Sequence, residues 1–333
     1  MQYTKLGRAN VDVSRICIGT MHFGGKTSEA DAFAIMDRAL EMGINFFDTA
    51  NVYGGEGGRG RSEEIIGNWF QQGGGRRDRV VLATKVYGPM TNDPLPNEGR
   101  GISAYKIRKH VADSLQRLQT DHIDLYQVHH IDRTITLEEF WRTFERLEND
   151  GDILYAGTSN FPGWGLAKYQ MVAWQRGLVG FVSEQTQYNL LNRIPELEVL
   201  PAAQDFGIGV LAYMPLGGGL LTGKKQIPDG SRTQSVQREY EVTAERQPQF
   251  EAFSALCREI GEQEPTVAIA WTLAHPAVTS AIVGVRTLAH LEGLERAAEL
   301  QLDPETLARV DDIFNINRGR PLRSGPAPEA FAW

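Results

Sequence analysis

Residues 16–25 read Ile-Cys-Ile-Gly-Thr-Met-His-Phe-Gly-Gly. The run Ile16–Gly19 has strand character, and a capped helical pattern opens soon after it, at Ser28. In an open doubly wound sheet, this first strand-to-helix turn carries the glycine fingerprint that admits a dinucleotide pyrophosphate. Gly-Thr-Met-His-Phe-Gly-Gly is not that fingerprint. The sequence on either side therefore has to say which other α/β architecture it builds.

Working outward, further strand-like runs fall at Asn45–Asp48, Val80–Thr84, Ile123–Val128, Leu154–Gly157, Phe181–Ser183, Gly209–Ala212 and Ala281–Val283. Amphipathic helical patterns separate them: Ser28–Met42, Ser62–Gln72, Ser103–Leu118, Leu137–Asn149, Trp164–Arg176, Pro195–Phe206, Gln249–Ile260 with Thr266–Ala274, and Leu288–Leu300. Eight strands alternating with eight helical blocks predict a parallel sheet, and eight is the number that closes a (β/α)8 TIM barrel. Tyr3–Leu6 and Val11–Val13 around Gly7-Arg8-Ala9-Asn10 read as an N-terminal β-hairpin. One barrel domain over 1–333 accounts for the length of 333 residues. Three loops exceed the usual length: Tyr87–Gly101, Gly217–Arg246 and the C-terminal Asn315–Trp333. The first two follow strands, where a barrel keeps its active site.

The chain carries 34 basic and 42 acidic residues, a net charge of -8. No basic field points to nucleic acid or an anionic membrane, and any anionic cofactor needs a local basic site. Cys17 and Cys257 lack metal spacing, and no long apolar segment or leader is evident, so a cytoplasmic location is expected. Cys17, Trp69, Trp141 and Trp271 read as core. The stretch Gly218–Lys224 imitates a P-loop, but Lys225 replaces the hydroxyl residue that would hold Mg²⁺. His129, His130 and Asp132 invite a metal reading; neighbouring residues on a strand face opposite ways, so no metal is expected there.

Polar residues at or just past the strand ends are Asp48, Lys85 and His129, with Tyr53 in the loop after Asp48. Singly, each suits a structural role: a loop cap, an ion pair, a surface turn. Together they suit carbonyl reduction. A carbonyl that accepts hydride develops oxyanion character and needs a proton. A tyrosine hydroxyl, with an ordinary pKa of about 10, can deliver it when a Lys ammonium favours the phenolate. Asp48 would hold Lys85 charged, and neutral His129 could donate to the substrate oxygen.

In that order, and over nearly the whole chain, the motifs resemble the aldo-keto reductase superfamily. They are Ile44-Asn45-Phe46-Phe47-Asp48-Thr49-Ala50, Tyr53-Gly54, Ala83-Thr84-Lys85, Asp124-Leu125-Tyr126-Gln127-Val128-His129, Gly157-Thr158-Ser159-Asn160-Phe161, Gln185, Tyr213-Met214-Pro215-Leu216, Gly219–Lys224 and Ile282-Val283-Gly284. The resemblance implies a catalytic set of Asp48, Tyr53, Lys85 and His129, and NADPH as cofactor. It puts Ser159, Asn160 and Gln185 on the nicotinamide carboxamide and stacks Tyr213 on the ring. Gly19, Thr20, Met21 and Asp48 also fall at the cofactor. Met214, Pro215, Leu216, Gly217, Lys224 and Arg232 fall along the pyrophosphate. Gly284, Arg286 and His290 fall at the adenosine end, where an arginine fork suits a 2′-phosphate. Met214 stands where many members carry Ser, and Gly293 and Leu294 depart from the residues that usually grip adenine.

For the substrate, the resemblance lines the pocket with Met21, Phe23, Val52, Tyr53, Tyr87, His129, His130 and Phe161. Aromatics with polar tips suit a hydroxylated carbonyl such as a keto-sugar, and equally a small aromatic aldehyde. The stretch His129–Arg133 and the ending Pro328–Trp333 look like an actinobacterial subgroup that includes ketoreductases of nucleotide-linked deoxysugars. A general aldehyde reductase is the alternative. A second class is the redox-sensing regulatory subunit of potassium channels that shares this fold. The expected partner is a small-molecule carbonyl, with no nucleic acid or membrane partner and no indication of oligomeric state.

Overall fold

The computed structural model describes residues 1–223 and 246–315. Its centre is a closed barrel of eight parallel strands: β3 (Ile16–Gly19), β4 (Phe46–Asp48), β5 (Val81–Val86), β6 (Ile123–Val128), β7 (Ile153–Ser159), β8 (Phe181–Gln187), β9 (Gly209–Tyr213) and β10 (Val278–Gly284). The strands close in sequence order, with β10 pairing both β9 and β3. The expected (β/α)8 barrel and N-terminal hairpin are both present.

A period of two explains the barrel interior. Inward positions pair an apolar residue with a polar or small one two residues on: Cys17/Gly19, Phe46/Asp48, Ala83/Lys85, Leu125/Gln127, Leu211/Tyr213 and Ile282/Gly284. Parallel register then sorts them into layers. Cys17, Phe46, Ala83, Leu125, Leu211 and Ile282 form an apolar plug, and the polar set stands above it at the strands' C-terminal ends. The hairpin of β1 (Tyr3–Lys5) and β2 (Asp12–Ser14) closes the other end, adding Leu6, Ala9 and Val13 to the same plug. Its turn needs Gly7: φ is +54°, and a Cβ there would lie 2.2 Å from the Val182 carbonyl oxygen.

Helices α1 (Glu29–Glu41), α2 (Arg61–Phe70), α3 (Ala104–Leu118), α4 (Leu137–Asp150), α5 (Gly163–Gln175), α6 (Val199–Phe206), α7 (Gln247–Glu259) and α8 (Glu264–Ala274) follow the predicted blocks. Ser28, Ser103 and Thr136 cap α1, α3 and α4 by accepting backbone N–H bonds. Trp69, Trp141 and Trp271 are buried between helices and barrel, and each indole N–H finds an acceptor. Cys17 is likewise fully buried. The expected helix over 195–206 is split, because Glu198 leaves the helical region between a short 3₁₀ turn and α6. The expected helix over 288–300 is also broken. Gly293, at φ +79°, separates a 3₁₀ turn from α9 (Leu294–Glu299). A further helix, α10 (Pro304–Ile313), was not anticipated. Asp303 caps it through Thr306, and Trp271 donates to its Asp311. No helix among the described residues is long and apolar enough to cross a membrane.

Candidate active site

Asp48 ends β4, and Lys85 comes two residues beyond its register partner on β5. Both point into the upper layer of the barrel. Lys85 Nζ donates to Asp48 Oδ2 at 2.6 Å, to the Thr49 carbonyl at 2.8 Å and to Tyr53 Oη at 3.4 Å. Lys85 is wholly buried and Asp48 nearly so. Burial alone would pull the ammonium pKa down. The attraction of Asp48 and Tyr53 and their hydrogen bonds outweigh it, so Lys85 titrates above its ordinary value and stays charged.

Tyr53 is carried by the loop after β4, with its ring 4.9 Å from Lys85 Nζ. His129 meets it edge-on, ring centroids 5.9 Å apart. Burial, then Lys85 and His130, push the His129 imidazole well below its ordinary value, so the neutral form prevails. Asp48, Tyr53, Lys85 and His129 therefore converge at the C-terminal mouth of the barrel.

The amide-bearing residues join the same network. Gln185 Nε2 donates to Asp48 Oδ1 at 2.8 Å, and Ser159 Oγ donates to the Gln185 carbonyl at 3.0 Å. Asn160 Nδ2 donates to the His129 carbonyl and to Ser159 Oγ, while its Oδ1 accepts from Tyr213 Oη at 2.9 Å. Asn160 sits at φ +57°, a left-handed conformation that asparagine tolerates better than most residues. This set of hydroxyl and primary amides, tied to Asp48 through Gln185, has the donor and acceptor chemistry that a carboxamide requires.

Thr20 is buried, and both its N–H and hydroxyl donate to the Asp48 carbonyl. Gly19 and Gly284 are register partners beside it. Met21 is exposed at the mouth. After β9, Met214 takes φ +56°, and its carbonyl accepts from Asn189. Pro215 and Leu216 lead from it into the glycine turn Gly217–Gly219. Lys224 and Arg232 lie outside the described residues. Arg286 and His290 are exposed beyond β10. Thr27 Oγ1 donates to the Arg286 carbonyl, and His290 Nδ1 lies 2.7 Å from Thr287 Oγ1.

Two expectations from the sequence meet a different arrangement in the structure. Phe23 and Phe161 are fully buried in the main core. Phe161 packs edge-on against Tyr169 and Phe181, because the turn at Asn160 sends its ring into the helix layer and away from the mouth. The opposed orientation expected for His129 and His130 also fails. Both lie past the end of β6, where strand alternation no longer applies, and their rings stack at 5.0 Å and 5°. Tyr87 meets His130 edge-on at 5.1 Å, and a Cβ on Gly88 would sit 3.0 Å from Val52, so these residues gather on one side. Lys106 Nζ clasps this loop by donating to the Tyr87 and Gly99 carbonyls. Asp132 is occupied by the backbone N–H groups of Ile102 and Thr134.

Sequence reasoning missed two buried residues. Gln127 donates to Asp48 Oδ1 at 3.2 Å. Glu184 accepts from Thr158 Oγ1 at 2.6 Å and from the Phe161 N–H at 3.1 Å, bracing the Ser159–Phe161 turn from behind. Polar residues in otherwise apolar strand runs were the available signal.

The family pattern described as "Aldo/keto reductase family" matches residues 15–315. "Uncharacterized oxidoreductase YrpG" of Bacillus subtilis is 51% identical over the full length of both chains. "Norsolorinic acid reductase stcV" of Emericella nidulans is 31% identical over 94% of this chain and 81% of its own. "Putative voltage-gated potassium channel subunit beta" of Schizosaccharomyces pombe is 32% identical, over 93% and 92% respectively. The barrel, the buried Asp48–Lys85 pair beneath Tyr53 and His129, and this match across nearly the whole chain lead to one conclusion: the protein is an oxidoreductase of the aldo/keto reductase family.

Proposed function

We propose that the protein reduces an aldehyde or ketone to the alcohol with NADPH. The observation that carries this reading is Lys85 Nζ, buried between Asp48 Oδ2 at 2.6 Å and Tyr53 Oη at 3.4 Å. When bound, the cofactor supplies hydride. Tyr53 Oη donates the proton to the carbonyl oxygen. Lys85 lowers the cost of leaving Tyr53 as phenolate, and Asp48 keeps Lys85 charged. Neutral His129 orients the carbonyl oxygen as a hydrogen-bond donor. Ser159, Asn160 and Gln185 would hold a nicotinamide carboxamide, with Tyr213 against the ring. The turn at Gly217–Gly219 and Lys224 would meet phosphate, and Arg286 the 2′-phosphate.

For substrate, we favour a hydroxylated carbonyl, with keto-sugars as the leading class. With Phe23 and Phe161 withdrawn into the core, the remaining candidates are mostly side chains with polar tips: Tyr53, Tyr87, His129 and His130. NADPH consumption with small aldehydes, aromatic aldehydes, free sugars and nucleotide-linked keto-sugars tests both levels. Turnover of any carbonyl supports the reductase reading. Binding without turnover across the panel would favour a regulatory role instead; one relative is named a putative channel subunit.

A further inference from the structure

We propose that Gln127 is a positioning residue for proton transfer. It holds the Asp48 carboxylate in register with Lys85 when Gln185 is drawn away to the cofactor. This rests on the reading of Asp48, Lys85 and Tyr53 given above.

Gln127 sits on β6 as the register partner of Lys85 and is fully buried. Its Nε2 donates to Asp48 Oδ1 at 3.2 Å. Gln185 Nε2 donates to the same oxygen at 2.8 Å and lies 3.4 Å from Gln127 Oε1. The other carboxylate oxygen, Oδ2, belongs to Lys85. Asp48 is thus gripped on one side by two amides and on the other by the ammonium. Space for the glutamine is provided next door on β7: a Cβ on Gly157 would stand 3.1 Å from Gln127 Cγ and 2.5 Å from Ser183 Oγ. A leucine would fill the interior without the cost of burying an amide, so the polar group is accounted for by its bonds.

The two amides are not equivalent. Gln185 is bonded through its backbone carbonyl to Ser159, in the group suited to a carboxamide. Once its side chain turns to that ligand, Asp48 Oδ1 loses its shorter bond. Gln127 then remains as the donor that stops the carboxylate rotating off Lys85. A carboxylate that rotates holds the ammonium less firmly, and the Tyr53 phenol becomes less acidic.

The test uses Gln127→Leu and the near-isosteric Gln127→Glu in the intact protein. Readouts are kcat against pH and equilibrium NADPH affinity by fluorescence. Gln127→Leu should keep NADPH affinity within about threefold, lower kcat by roughly tenfold and move its alkaline limb to higher pH. In Gln127→Glu, a carboxyl buried beside Asp48 holds its proton at low pH and donates as the amide does. That variant should be near wild type at low pH and lose activity as the new carboxyl ionises, at a pH where wild type does not. A wild-type pH profile in either variant overturns the proposal, and the glutamate variant carries the test alone if leucine does not fold. Failure of the reductase reading looks different: the wild-type protein itself would neither bind nor consume NADPH.

Discussion

Asp48 and Lys85 form a 2.6 Å ion pair from which water is shut out, with Lys85 fully buried and Asp48 almost so. Removing one partner leaves the other charged in a low-dielectric interior, at a cost of about 3–5 kcal/mol. Lys85→Met and Asp48→Asn should each lower Tm. The double variant, with no orphaned charge, should be more stable than Lys85→Met alone yet remain without turnover. Calorimetry and NADPH consumption on the three proteins separate the effects. A double variant destabilised by the sum of the singles would show that the pair is not coupled.

Tyr53 is partly exposed and carries no buried charge, so replacing it tests chemistry with little effect on folding. Tyr53→Phe should leave NADPH binding nearly unchanged and cut kcat by about 10²–10⁴-fold. A kcat near wild type would remove Tyr53 from the role of proton donor.

Cofactor preference is expected to follow the basic groups at the adenosine end. Fluorescence titration should give a lower Kd for NADPH than for NADH, and Arg286→Ala should narrow the gap by weakening NADPH alone. Equal affinities in the wild-type protein would dismiss the 2′-phosphate role of Arg286.

The stacked His129–His130 pair with Tyr87 edge-on makes His130 the reporter of substrate class. A site that hydrogen-bonds hydroxyls rejects analogues lacking them by roughly 10⁴-fold. Hydroxylated carbonyls should therefore exceed size-matched alkyl aldehydes in kcat/KM, and His130→Ala should narrow that gap more than it slows simple aldehydes. If benzaldehyde-type substrates win and the variant behaves as wild type, the enzyme is a general aldehyde reductase.

Glu184 offers a pH test. Burial pushes its carboxyl up to about 8, against the opposing bonds from Thr158 and the turn backbone. An unfolded glutamate titrates near 4.3, so between about pH 4.3 and 8 the folded state binds more protons than the unfolded one. The stabilisation is complete below that window and fades as pH rises through it. Glu184→Gln cannot ionise, so its Tm relative to wild type should rise from pH 5 to 8 and then level off. A constant difference across that range would show that Glu184 is ionised throughout.

Local chemistry made much of this readable from the chain. The cap at Ser28, the amphipathic helical patterns and the short apolar runs announced the helices and strands, and strand ends announced Asp48, Lys85 and His129. The break at Gly293 and helix α10 escaped, the second although Asp303 and Pro304 mark its start locally. The site was read less completely. Phe161 looks like a pocket residue from its motif, but the left-handed turn at Asn160 hides its ring in the core. His129 and His130 look opposed until the strand ends beneath them.

By itself the sequence determined the closed eight-stranded barrel and put Asp48, Lys85 and His129 at its strand ends, because apolar runs and the polar residues that close them are properties of neighbouring residues. Only the tertiary structure decided who holds Asp48. Lys85, Gln127 and Gln185 come from three strands, and which of them meet is set by interstrand register, closure of the barrel and the room left at Gly157. Whether a buried carboxylate is satisfied depends on donors from across the barrel, which no local pattern encodes.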